Sequence, residues 1–130
     1  MKKNNPQLAQ GWFTIGNNEL GFARAGLEDL DAFYPQICFL CHQAVEKYLK
    51  GFLVYNGVNF PKIHDLTELA KLCAKINKGF SQFLGKADIL SQYYIVSRYP
   101  VEYPPASKKE AEEALEIADK LINFIQKKLK

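Results

Sequence analysis

Ser107 to Leu129 reads SKKEAEEALEIADKLINFIQKKL, and this stretch decides the fold class. Ala111, Ala114, Leu115, Ala118, Leu121, Ile122, Ile125 and Leu129 recur with the period of a helix and form one stripe. Ser107 and Glu110 have the spacing of a capping box, and Pro104 and Pro105 keep the preceding chain non-helical. Glu110, Glu112 and Glu113 come early and Lys127, Lys128 and Lys130 late, each sign at the dipole end it favours. The pattern predicts a long amphipathic helix with one face against a core.

The same period continues upstream. From about Phe80 to Arg98, ended by Pro100, the main stripe is Phe80, Phe83, Leu84, Ala87, Leu90, Tyr94 and Ile95. A second strip, Ile89, Tyr93 and Val96, lies on another side and is expected to be buried between two copies of the chain. A shorter helix follows Pro61, with Asp65 as cap, Glu68 returning the bond, and Leu66, Leu69, Ala70, Cys73 and Ile76 on one face. A long helix is expected from about Pro35 to Tyr55, stopped by Asn56-Gly57. Its expected core face is Ile37, Leu40, Cys41, Ala44, Val45, Tyr48 and Phe52. Its expected solvent face is Gln43, Glu46, Lys47 and Lys50, with Glu46 and Lys50 at supportive spacing. The first helix, about Ala9 to Leu27, carries Gly11, Gly16, Gly21 and Gly26, each costing about 1 kcal/mol of propensity relative to Ala. Trp12, Ile15, Phe22 and Ala23 give it a packing face. The expected fold is all-α: an antiparallel up-and-down bundle of four main helices plus one short helix.

A chain of 130 residues fits one compact domain, 1–130, without room for a second core. With 48% apolar and 24% charged residues it has the balance of a globular protein, which excludes disorder and low complexity. A net charge of +3 is too mild and too scattered to announce a nucleic-acid binder by itself. No signal-peptide pattern follows the first lysines, and the purest apolar run, Ile37 to Cys41, is far short of a membrane span. Three cysteines do not suggest a disulfide framework, so a cytoplasmic protein is expected.

Few constellations carry chemistry. Cys38-Phe39-Leu40-Cys41-His42 matches a haem-attachment pattern, but export is not indicated and Met1 is the single methionine that would serve as distal ligand. A zinc site would need Cys73 or His64 to converge on that pair; as residues of an apolar helix face the thiols read as core. His64-Asp65 reads either as a base with its carboxylate or as a cap preceded by a histidine. Arg98 shares the face of Leu84, Ala87, Ser91 and Tyr94. It either closes the helix C-terminus or holds a phosphate, and Tyr93, Tyr94, Tyr99 and Tyr103 offer rings for stacking or for a core. No Gly-rich phosphate loop, nucleophile elbow or metal-spaced histidine pair is present, so no catalytic residue, metal or cofactor is indicated.

Three segments carry a resemblance: His42-Gln43-Ala44-Val45-Glu46-Lys47-Tyr48-Leu49-Lys50-Gly51-Phe52-Leu53; Gly57-Val58 with Phe60-Pro61-Lys62-Ile63-His64-Asp65-Leu66; and Ser97-Arg98-Tyr99-Pro100 before the final helix. In this order they resemble the HEPN domain family (higher eukaryotes and prokaryotes nucleotide-binding). The resemblance implies an all-α bundle, a homodimer, and often a minimal nucleotidyltransferase partner in a toxin–antitoxin module. Many members are metal-independent ribonucleases with an Arg followed, after four to six residues, by a His. Arg98 matches the Arg, whereas the His positions hold Tyr103, Pro104 and Pro105. The chain is therefore similar to members that bind a nucleotide or RNA end without cleaving it. The candidate binding residues are Arg98, Tyr99, Lys47, Lys50 and His64. In the alternative, a ribonuclease, Tyr103 or His64 replaces the histidine; a plain interaction module is the third reading.

Overall fold

Asn5 opens the first helix by accepting a hydrogen bond from Leu8 N at 3.1 Å through its side-chain oxygen, with Pro6 in the first turn. In the computed structural model, which describes residues 4–96 and 105–129, helix α1 spans Pro6–Ala25 and runs into a π-helical turn, Gly26–Leu30. Helix α2 is Tyr34–Tyr55, α3 is Leu66–Ile76, and α4 is Leu84–Val96, entered through a 3₁₀ segment, Lys78–Phe83. Helix α5 is Lys108–Lys128, and no strand occurs among the described residues. The all-α bundle of four main helices and one short one is as expected.

The end signals work by their expected chemistry. Ser107 Oγ accepts from Glu110 N at 3.2 Å, and Glu110 Oε1 accepts from Ser107 N at 3.0 Å, completing the capping box. Asp65 Oδ1 accepts from Thr67 N at 2.9 Å, while Glu68 turns to Lys71 at 3.3 Å instead of returning the bond. The fourth helix begins as a 3₁₀ turn because Asn77 Oδ1 caps Gly79 N at 2.9 Å and tightens the entry.

Helix α2 is the axis around which the others pack. Its buried residues, including Ile37, Cys38, Cys41, His42, Val45, Tyr48, Leu49, Phe52 and Leu53, surround it rather than form a stripe. Helix α1 lies against it through Ala9, Phe13, Gly16 and Ala23. At Gly16 a Cβ would stand 2.8 Å from the Tyr48 ring and 3.2 Å from Ala44 O, so the approach of the two backbones requires glycine there. The expected packing face of this helix needs correction. Ala23 is buried, but Ile15 and Phe22 are 49% and 68% exposed, because close helix contact selected the small-residue side. Tyr48 then ties three helices together: its hydroxyl donates to Asn17 Oδ1 at 2.6 Å and accepts from Gln126 Nε2 at 3.0 Å.

Two further expectations change. Glu46 and Lys50, expected on a solvent face, are buried. Tyr93, expected to need a second copy, is buried within this chain, and Ile89 is half-buried against the same core. Helix α4 lies between neighbours that cover two of its sides, and Tyr93 reaches the Cys38 thiol on α2. Cys38 and Cys41 are core residues; burial pushes the Cys38 thiol up to about 12, and Cys41 moves in the same direction. The Val96 side chain and the whole of Arg98 and Tyr99 lie outside the described residues.

Candidate functional site

His42, Glu46 and Lys50 succeed one another at every fourth position of α2, which aligns them along one side of the helix. That side faces the loop 57–65 and the Trp12 ring of α1. Glu46 is the hub. Its Oε2 accepts from Lys50 Nζ at 2.9 Å, and its Oε1 accepts from His64 Nδ1 at 3.0 Å. Burial pushes the Glu46 carboxyl up, but Lys50 and His64 donating to it outweigh this and hold it below the usual range. The Lys50 ammonium lies 5.7 Å from the Phe60 ring centroid and 5.9 Å from that of Trp12, so aromatic faces cover what the carboxylate leaves.

His42 is fully buried, and that burial pushes its imidazole below the ordinary value, so the ring is neutral. Its Nε2 lies 3.1 Å from the His64 carbonyl, which can only accept; the proton therefore sits on Nε2. Nδ1 is left as an acceptor; the Gln43 Oε1 placed 3.0 Å from it would meet it lone pair to lone pair, so the amide turns over to present its NH₂ group. The bond from His42 Nε2 fixes the backbone of His64 to α2, while Glu46 fixes its ring.

His64 is thus held twice, yet its side chain is 48% exposed. The Tyr94 ring of α4 stacks on it at 4.4 Å and 15° and also approaches His42 at 5.4 Å. Ser91 Oγ, one turn before Tyr94, accepts from Leu66 N at 2.9 Å and docks α4 onto the start of α3. With Nδ1–H donated to the carboxylate, the lone pair of the neutral His64 ring sits on Nε2. Such an imidazole can accept a proton, donate one when charged, or bind an anionic oxygen.

Of the sequence candidates, Lys50 and His64 come together here. Lys47 does not: it faces Glu19 of α1 at 3.6 Å, where burial holds the Glu19 carboxyl above its usual range against the pull of Lys47. Glu46 and His42 were missed as site residues. The available signal was that His42, Glu46 and Lys50 recur at a spacing of four, on one side of the helix, with His42 next to the apolar run 37–41.

The HEPN domain family model matches residues 9–129. Comparison with curated proteins gives no match. Among solved structures, the chain is similar to ST0689, an archaeal HEPN homologue, with 26% identity, full coverage of both chains and a TM-score of 0.75. It is also similar to TT1696 from Thermus thermophilus, with 29% identity over 92% of this chain and 97% of that one, again at a TM-score of 0.75.

Proposed function

Because this chain belongs to the HEPN domain family, we propose that it is a non-catalytic, nucleotide- or RNA-end-binding member whose ligand meets the His64–Tyr94 corner. The observation that carries this is a half-exposed imidazole locked at Nδ1 by a buried carboxylate. Preorganised in this way, His64 loses little freedom when an anionic oxygen arrives. Arg98, four residues after Tyr94 in the sequence, supplies the phosphate clamp, and Tyr99 a ring for the base. The protein acts in the cytoplasm as a homodimer beside a nucleotidyltransferase, in the manner of a toxin–antitoxin pair. Self-association draws on α1, where Leu8, Ile15 and Phe22 stand exposed at seven-residue intervals on one side of the helix.

The Glu46–His64 pair favours one second reading. A carboxylate-oriented imidazole with a free Nε2 is the arrangement of a general base, so His64 would stand in for the histidine missing after Arg98 in a metal-independent ribonuclease. One set of titrations separates the readings. ATP and a short RNA are titrated calorimetrically into wild type, Arg98→Ala and His64→Ala, and the RNA is recovered from chelator-containing buffer. Affinity lowered at least tenfold in both variants with the RNA intact supports the binding reading. RNA cut by wild type and spared by His64→Ala supports the ribonuclease. No heat with either ligand rejects both and leaves an interaction module.

A further inference from the structure

A second concave site lies away from this corner and shares no residue with it. An open groove of about 480 Å³ runs between the entry to α4 and the C-terminal half of α5. Lys86 stands on the α4 wall and Lys120 and Lys127 on the α5 wall, with Phe83, Phe124 and Asn123 lining the space between them. The volume falls within the range of small-ligand sites, about 300–1,000 Å³. Among the described residues no carboxylate lines it; Glu116 accepts from Lys120 Nζ at 2.9 Å.

The floor is rigid and apolar. The Phe124 ring meets Phe80 and Phe83 edge-on, with centroids 5.0 and 5.2 Å apart. Its other support is Gly79, where a Cβ would stand 2.6 Å from Phe124 Cζ; any side chain at that position would push the ring out of place. Lys128 Nζ lies 5.1 Å over the same ring. A wall of hydrocarbon behind three ammonium groups excludes water from one side and concentrates their field in the groove. The Glu116 carboxylate also attracts Lys86; among the described residues no carboxylate lines the groove beside Lys127.

We propose that the groove bounded by Lys86, Lys120 and Lys127 binds an oligophosphate chain, free or as the tail of a nucleotide. Several negative charges in a flexible row match three separate point-charge donors, whereas a single carboxylate or a planar anion would engage one or two. Asn123 adds an amide donor for a phosphate oxygen or bridging hydroxyl. The Glu116–Lys120 pair is exposed on both partners, so an arriving phosphate displaces the carboxylate easily.

The test is calorimetry with inorganic triphosphate on the full chain at low salt. Wild type should bind, and the triple variant Lys86→Gln/Lys120→Gln/Lys127→Gln should bind at least tenfold more weakly with an unchanged helical spectrum. Glu116→Gln, which frees Lys120, should bind more tightly, an outcome that loss of folding cannot imitate. In a His64→Ala background, where the nucleotide corner contributes less, the three lysine substitutions should still weaken triphosphate binding at least tenfold, which keeps this site apart from that corner. Titrating ATP into His64→Ala then distinguishes the sources: affinity equal to triphosphate means the tail alone is read, and tighter binding means the nucleoside adds to it. Absence of triphosphate binding, equal affinity in the triple variant, or lysine substitutions that change nothing in the His64→Ala background would each overturn the proposal.

Discussion

The chain contains the same pair twice. Glu46 and Lys50 on α2, and Glu116 and Lys120 on α5, stand four residues apart and meet at 2.9 Å. On α5 both side chains are more than half exposed; on α2 the carboxylate is 3% and the ammonium 9% exposed. In water the pair is an ornament of a solvated face. Inside the bundle neither partner can lose the other, because the survivor would be a buried charge without compensation. The difference is set by what surrounds the helix. Trp12 and Phe60 roof the α2 pair, and His64 adds a third bond to Glu46, whereas α5 turns its pair outward.

The largest effect should come from breaking the inner pair on one side only. Lys50→Met is expected to cost about 3–5 kcal/mol in urea denaturation, since it strands Glu46. Adding Glu46→Leu should recover most of that loss. A single variant as stable as wild type would break the comparison, because it would show that solvent reaches Glu46.

Acid sharpens it next. His42 has a folded value below its ordinary 6.5, so the unfolded chain binds the proton first, and stability is full above 6.5 and falls as pH drops toward the folded value. Glu46 also titrates lower in the folded chain, so its contribution is full above 4.5 and is lost only in stronger acid. The groups facing His42 are Gln43, Glu46, the His64 backbone and the Tyr94 ring. Denaturation across this range should show two successive losses, and His42→Asn should remove the upper one. A flat stability profile down to pH 4.5 would contradict a neutral buried His42.

Smaller effects follow. Tyr48→Phe removes two bonds that join α1 and α5 to α2 and should cost about 1 kcal/mol. Glu116→Gln should leave Tm unchanged. A measurable drop there would mean that the outer pair is not the idle counterpart of the inner one.

How much of this was legible depends on how local the cause is. The α5 stripe and its capping box, and the Asp65 cap of α3, were readable because every group involved lies within one or two turns. Burial of Glu46 and Lys50 was not, since the covering rings come from positions 12 and 60 and the third ligand from position 64. The same applies to α1: its glycines suggested a weak helix, while Gly16 marks where α2 comes close. For the second apolar strip of α4 the cover was not legible either: Tyr93 is buried and Ile89 half-buried against the chain's own core, which no local pattern reveals. His64 was named from its neighbours in sequence, but its orientation follows from Glu46, eighteen positions away.

The orientation of the two histidines can be read from a long-range proton–nitrogen NMR correlation of both imidazoles near neutral pH, before and after ATP is added. His64 should be protonated at Nδ1 with a bare Nε2 that shifts on ATP addition, and His42 should be protonated at Nε2 and unmoved. A His64 ring protonated at Nε2, or ATP binding that leaves the His64 signals in place, would contradict this reading.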